Sequence, residues 1–247
     1  MGRAIVMLVS LACYAAFFVT FLYLIGFVGG FAFMPSHVDK GMQALQFNAV
    51  LVDIGLIALF GIQHSVMARK GFKQSWTRIV PVPLERSIYC LATVLVLVTM
   101  YRFWQPIEGS LWSMEGEGAR TVMWALFWLG WGTVLLSTFL LNHFELFGLQ
   151  QAWMHLREKE ASPPQMRSPL FYNWVRHPIY AGFLLAFWAT PDMTYGHLLF
   201  AAGFTIYILI GIAYEERDLT GIFGEEYLVY RSKVGMLLPG VGKNSSP

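Results

Sequence analysis

The chain has 247 residues, of which 56% are hydrophobic, 16% aromatic and only 13% charged, with a formal net charge of +2. An average soluble domain carries roughly 25% charged residues, so this composition excludes a disordered chain, a coiled coil and a nucleic-acid-binding module. What remains is an integral membrane protein. About 20 apolar residues cross a bilayer, so the length holds roughly five or six spans and no large soluble domain.

The first apolar run covers residues 4–33. It is too long for the apolar region of a signal peptide and lacks a convincing cleavage site, so it reads as an uncleaved anchor. Further runs cover residues 45–67, 87–104 and 121–141. A polar stretch follows at 142–174, with Pro163, Pro164 and Pro169. The last two apolar segments, 178–190 and 196–214, are separated by Pro191-Asp192-Met193-Thr194-Tyr195 and read as a helical hairpin. At about 1.5 Å per residue, the first arm falls short of the ~30 Å hydrocarbon core. The expected fold is an all-α polytopic bundle, one domain over 1–247, with a short cytoplasmic C-terminal helix.

Loop charges give an orientation. Arg69, Lys70, Lys73, Arg78 and Arg86 follow the second span, and Arg157, Lys159, Arg167 and Arg176 follow the fourth. Glu108, Glu115 and Glu117 follow the third. Both termini and the basic loops are therefore expected in the cytoplasm, in a bacterial inner membrane. Cys13 and Cys90 lie inside apolar runs without a Cys-x-x-Cys spacing, and read as core residues rather than a disulfide. The histidines lack paired ligand spacing, so no metal site is expected.

Ionisable groups in a span are costly and mark candidate sites. Gln46, Asp53 and His64 stand seven and eleven residues apart. At about 100° per residue they share one helix face to within about 20°. Two readings stand: a cavity lining with His64 near its cytoplasmic mouth, or an interhelical hydrogen-bond stripe. At the end of the fourth span, Asn142 and Glu145 are expected on one face and His143 on another. This is either a site or an interfacial helix end. His37, His155 and His197 read as ordinary.

The most informative stretch is Arg176-His177-Pro178-Ile179-Tyr180-Ala181-Gly182. Pro178 suits a helix's first turn, and a helix N-terminus flanked by two cations suits an anion. The hairpin would bring Glu215 and Glu216 opposite Arg176 and His177. Such a bipolar arrangement matches S-adenosylmethionine, which has a carboxylate, an ammonium and a sulfonium that aromatic faces attract.

Arg176-His177-Pro178-x-Tyr180-x-Gly182, Glu215-Glu216, Phe223-Gly224-x-Glu226-Tyr227 with Tyr230, and Pro239 together resemble the isoprenylcysteine carboxyl methyltransferase superfamily. These are small membrane enzymes that use S-adenosylmethionine without a Rossmann domain. The resemblance implies a cofactor-binding part at about 142–239, lined by Arg176, His177, Tyr180, Gly182, Glu215 and Glu216. Within it, Gln63-His64-Ser65, Glu85-Arg86, Tyr89, His143-Phe144-Glu145-Leu146-Phe147-Gly148-Leu149, Phe187-Trp188-Ala189-Thr190-Pro191 and Gly196-His197 resemble the methanethiol S-methyltransferase family. This implies a small thiol substrate and dimethyl sulfide as product.

A thiol must lose its proton to attack a methyl group, and its pKa is at or above ~8.5. His64 is the first candidate base and His143 the second. Arg86 could instead stabilise the thiolate, as could Arg69 or Arg78. A larger prenylcysteine or lipid acceptor, a sterol-reductase-like activity, and a membrane scaffold or small transporter are the competing expectations. The expected partners are a small thiol and membrane lipid, with no nucleic acid and no metal.

Overall fold

A computed structural model of the protein describes residues 2–42, 45–159, 166 and 168–243. Pro163, Pro164 and Arg167 of the polar stretch lie outside the described residues. In chain order the helices are α1 (Arg3–Gly29), α2 (Gln46–Ala68), α3 (Lys70–Trp76), α4 (Glu85–Phe103), α5 (Glu117–Leu141), α6 (His143–Leu146), α7 (Leu149–Leu156), α8 (Pro178–Trp188), α9 (Tyr195–Phe223) and α10 (Glu225–Lys233). Two short strands, β1 (Ser110–Ser113) and β2 (Asp192–Thr194), complete the elements. Five of the described helices are long and apolar enough to cross a membrane: α1, α2, α4 with the turn before it, α5 and α9. The protein is a polytopic membrane helical bundle. The helix α8, with 11 residues, reaches roughly 16 Å and falls short of a ~30 Å hydrocarbon core.

Two boundaries differ from the sequence expectation. The last span does not stop at Tyr214, because Glu, Arg and Leu are good helix formers that carry α9 on to Phe223. Gly224, at φ 57°, then ends it. Glu215 and Glu216 therefore sit inside a helix and not beyond one. At the fourth span, α5 ends at Leu141 and a new short helix starts at His143. The break at Asn142 removes the helical register that would have put Asn142 and Glu145 on one face.

The chain divides into two compact units. Unit 1 comprises Met1–Leu111, His143–Ser162 and Thr194–Phe200, and unit 2 comprises Trp112–Asn142, Pro163–Met193 and Ala201–Pro247. In unit 1, α4 packs on both α1 and α2, and α7 packs on α1. Phe27, Trp104 and Phe200 are fully buried, with ring centroids 5.7–6.0 Å apart. The Trp104 indole donates to the Val38 carbonyl at 3.1 Å. Ser87 donates to Ser10 at 2.9 Å, tying α4 to α1. Such an interhelical bond contributes only about 0.6 kcal/mol on average, so close packing carries more of the stability. Gly148 (φ 89°) joins α6 to α7 where a Cβ would meet the Ser87 hydroxyl at 2.6 Å.

In unit 2, α8 lies against α5 at a glycine crossing. A Cβ on Gly130 would meet the Gly182 carbonyl at 2.8 Å, and one on Gly182 would meet the Gly130 carbonyl at 2.8 Å. Small residues that let backbones approach replace the hydrophobic drive that lipid removes. Trp131 fills the flank, with its ring 5.7 Å from Phe183 and 6.0 Å from Phe187.

The turn after α8 is clasped to the start of α5. Arg120 donates to both Asp192 oxygens, at 2.9 and 2.6 Å, and Ser113 donates to Asp192 at 2.5 Å. The Arg120 guanidinium holds the Asp192 carboxyl below the usual carboxylate range. A carboxyl depressed on folding stabilises above its unfolded pKa of ~3.9, and that contribution disappears as pH falls through the folded value. The protection factor of the Met114 amide, which donates to the Pro191 carbonyl at 3.0 Å, should therefore fall on acidification. In Asp192→Asn that protection factor should already be low at neutral pH and no longer change with pH.

Candidate functional site

The charged cluster of unit 2 forms where the segment before α8 meets the C-terminal end of α9. Val175 pairs with Gly235 in a parallel bridge. The amides of Arg176 and His177 donate to the carbonyls of Gly235 and Met236 at 2.8 and 3.2 Å. The tail after α10 is thereby laid along the residues that precede α8. Pro178 opens α8, where its missing N–H is harmless.

Arg176 and His177 both converge on Glu216. The Arg176 Nε donates to Glu216 Oε1 at 2.8 Å, its second terminal nitrogen lies 2.7 Å from the same oxygen, and His177 Nε2 is at 3.1 Å. Glu215 Oε2 lies 3.9 Å from His177 Nδ1. The remaining Arg176 donors reach the carbonyls of Arg231 at 3.2 Å, Val234 at 2.5 Å and Gly242 at 3.2 and 3.3 Å. The Arg176 side chain is only 2% exposed. Its N–H groups are thus committed to Glu216 and to the tail carbonyls. Of the two acids, Glu215 is the accessible one, with 44% of its side chain exposed against 13% for Glu216.

Around this core stand aromatic residues. The Tyr180 ring lies 5.7 Å from the His177 imidazole. Tyr230 donates to the Tyr172 carbonyl at 2.5 Å, and Tyr172 donates to the Ser137 carbonyl at 3.4 Å. Burial pushes the Tyr230 hydroxyl up to about 12. Tyr227 is buried, and its hydroxyl has no hydrogen-bond partner among the described residues. Burial, reinforced by the Glu216 carboxylate, drives its pKa well above the ordinary tyrosine value. A buried hydroxyl without a partner costs about 1–3 kcal/mol, and a ligand hydroxyl or carboxylate would relieve it. Tyr227 stands in the FGxEYxxY motif, but its role is visible only once α10 is placed. Gly182, on the same α8, sits at the α5 crossing.

Unit 1 holds the three remaining candidates. On α2, His64 Nδ1 lies 3.2 Å from the Thr93 hydroxyl oxygen. Thr93 donates its own hydrogen to the Tyr89 carbonyl at 3.1 Å. With the Thr93 hydrogen on the Tyr89 carbonyl, the Thr93 oxygen is placed to accept from Nδ1–H, the tautomer in which Nε2 is the basic nitrogen of neutral His64. The His64 ring packs 5.2 Å from Phe60 and 4.9 Å from Tyr89, and Tyr89 donates to the His64 carbonyl at 3.3 Å. The Arg86 guanidinium lies 5.9 Å from the Tyr89 ring centroid. His64, Tyr89 and Arg86 thus form one chain of contacts between α2 and the first half of α4.

His143 opens α6 and is 5% exposed. Its Nε2 is 2.8 Å from the Tyr14 hydroxyl on α1, and Phe144 and Phe147 meet its ring at 5.5 and 4.9 Å. Burial holds its pKa below the ordinary histidine value. Its neutral form is therefore favoured in the fold, and stability declines as pH falls from ~6.5 toward the lower folded value. Tyr14 and Thr93, the partners of the two histidines, had no signal in the sequence: each is one polar residue in an apolar run.

The other two residues of the α2 stripe reach the segment just beyond α4. Asp53 Oδ1 accepts from the Gln105 amide at 3.0 Å, and Gln46 donates to Glu108 at 3.3 Å. Two of the three stripe residues thus bond to the segment after α4, and His64 bonds to Thr93 within α4. His197, expected to be ordinary, is 2% exposed in the first turn of α9.

The whole chain has relatives of known naming. It is 46% identical over 245 residues to the methanethiol S-methyltransferase of Crocosphaera subtropica, covering 99% of this chain and 96% of that one. It is 54% identical over 211 residues to that of Pseudomonas deceptionensis, covering 85% and 80%. With that of Mycobacterium tuberculosis it shares 48% over 239 residues, covering 97% and 98%. No family model matches the chain, and no solved structure matches it. Matches of this length span both units. The chain belongs to the methanethiol S-methyltransferase family.

Proposed function

We propose that the protein transfers a methyl group from S-adenosylmethionine to methanethiol and so forms dimethyl sulfide. The relatives' names support the acceptor. The observation that supports the donor is the charged cluster of unit 2, in which an accessible carboxylate and an unpartnered buried hydroxyl flank an ordered Arg–Glu–His core. When bound, S-adenosylmethionine supplies an electrophilic methyl on a sulfonium centre. Glu215 offers a carboxylate to an ammonium or a sugar hydroxyl. Tyr227 offers a hydroxyl, and the Tyr180 face suits a sulfonium. The start of α8 suits a carboxylate. Arg176, His177 and Glu216 hold these groups in place by fastening the tail. Gly182 contributes by setting how closely α8 approaches α5.

In unit 1, His64 accepts the thiol proton at Nε2, the tautomer being fixed by Thr93. His143 is the second candidate. The Arg86 charge favours the thiolate. An anion formed in an apolar pocket is poorly solvated and reactive, and proximity adds most for so small a substrate.

Purified protein given S-adenosylmethionine and methanethiol should release dimethyl sulfide into the headspace, detected by gas chromatography. Donor binding without product would remove the acceptor from the proposal. No donor binding would remove the donor. The basic loops beside α3 and α7 support a bacterial inner-membrane location with both termini cytoplasmic. An alkaline phosphatase fused to the C-terminus should then be inactive, and activity would reverse the orientation.

A further inference from the structure

At the end of unit 1 opposite the basic loop after α2 lies a groove of about 670 Å³ between α1, α4 and the loop that follows α1. Its walls are apolar and open, with Val19 66% and Val98 49% exposed beside Pro35 and Met42. Its floor is a closed set of polar groups. Tyr101 donates to the Thr20 carbonyl at 3.1 Å, Ser36 donates to the Tyr101 carbonyl at 2.7 Å, and the Tyr23 and Ser36 hydroxyls meet at 2.9 Å. Tyr23 stacks on Tyr101 at 4.7 Å. This floor is rigid and needs no polar ligand.

The rim is different. Lys40 and Arg102 both line the groove and both are exposed. Lys40 donates to the Met34 carbonyl at 2.9 Å, and Arg102 to the Met42 sulfur, a weak acceptor, at 3.2 Å. Neither has a carboxylate partner among the described residues. The hydrogen bonds of the nearby acids go to other groups: Asp39 receives the Thr194 hydroxyl, and Glu108 the Gln46 amide. The acidic loop after α4 also makes this the end where the loop-charge rule predicts few cations. Yet two cations converge on one apolar groove.

We propose that this groove binds an acidic phospholipid, with the headgroup phosphate between Lys40 and Arg102 and an acyl chain along Val19 and Val98. A zwitterionic lipid also brings a phosphate, but its own ammonium competes for that charge and adds no net negative charge to offset Lys40 and Arg102. A free phosphate would leave the apolar walls bare. The volume suits a headgroup and the upper part of one chain. The site is independent of the methyl-transfer reading, since it shares no residue with either proposed catalytic cluster.

The test uses delipidated full-length protein in a neutral detergent, titrated with dioctanoyl phosphatidylglycerol and followed by native mass spectrometry. Dioctanoyl phosphatidylcholine and sodium phosphate serve as comparators. Phosphatidylglycerol should bind at least about tenfold more tightly than phosphatidylcholine, as two surface cations imply. The double variant Lys40→Gln/Arg102→Gln should lose that preference, whereas Lys70→Gln/Lys73→Gln at the opposite end should keep it. Val98→Trp, which fills the wall, should weaken binding with the cations intact. Lys40 and Arg102 are exposed, so an unchanged melting temperature checks the charge variants. Equal binding of the two lipids, or a preference surviving in the Lys40→Gln/Arg102→Gln variant, would overturn the proposal. So would displacement of the lipid by equimolar inorganic phosphate.

Discussion

Glu216→Ala should loosen the C-terminal tail and weaken donor binding together. The substitution strands the Arg176 guanidinium, whose side chain is 2% exposed, without its counter-charge. Removing one partner of a buried pair costs about 3–5 kcal/mol. Arg176 also holds the carbonyls of Val234 and Gly242, so the strain passes to the tail. Hydrogen exchange should accelerate at the Arg176 and His177 amides, which bond to Gly235 and Met236. Calorimetry should show donor affinity lowered by on the order of a hundredfold or more, with a loss near 3 kcal/mol. Glu216→Gln keeps an acceptor oxygen and should show a smaller loss in both readouts. Arg176→Met/Glu216→Leu removes the buried charges as a pair, so it should recover part of the stability but none of the donor binding. Unchanged donor affinity in Glu216→Ala would take Glu216 out of the donor site.

His64→Ala should have the opposite signature. Loss of a general base lowers turnover by about 10²–10⁴-fold, and donor affinity should stay within about threefold because His64 belongs to neither the tail nor α8. Thr93→Val removes the acceptor at 3.2 Å that fixes the tautomer. It should lower kcat by a smaller factor, on the order of tenfold, and shift the pH profile, since hydrogen bonding to one nitrogen sets the basicity of the other. His143→Ala is the comparison. If turnover collapses there and survives in His64→Ala, the base is the histidine held by Tyr14. Stopped turnover with intact donor binding in either variant separates chemistry from folding.

The sequence by itself determined the solvent and the spans. Long continuous apolar runs satisfy their backbone polar groups in a bilayer as helices, so α1, α2, α4 and α5 were legible to within four residues at either end. The convergence of Arg176 and His177 with Glu216 was also legible, because the short turn after α8 returns the chain along itself. The roles within that convergence were not. Spacing places residues on one face, but only packing shows which donors are already committed. Arg176, expected to receive a ligand's carboxylate, holds Glu216 and the tail; Gly182, expected to line a pocket, makes room for α5. Thr93 and Tyr14 could not be found in advance, since their partners lie at least twenty-five residues away; Tyr227 stands in the motif, but that its buried hydroxyl has no hydrogen-bond partner among the described residues emerges only from the packing. The limit is physical. Hydropathy and helical period are local properties of the chain, whereas a hydrogen-bond partner, a tautomer and a glycine crossing belong to pairs of elements and exist only after they pack.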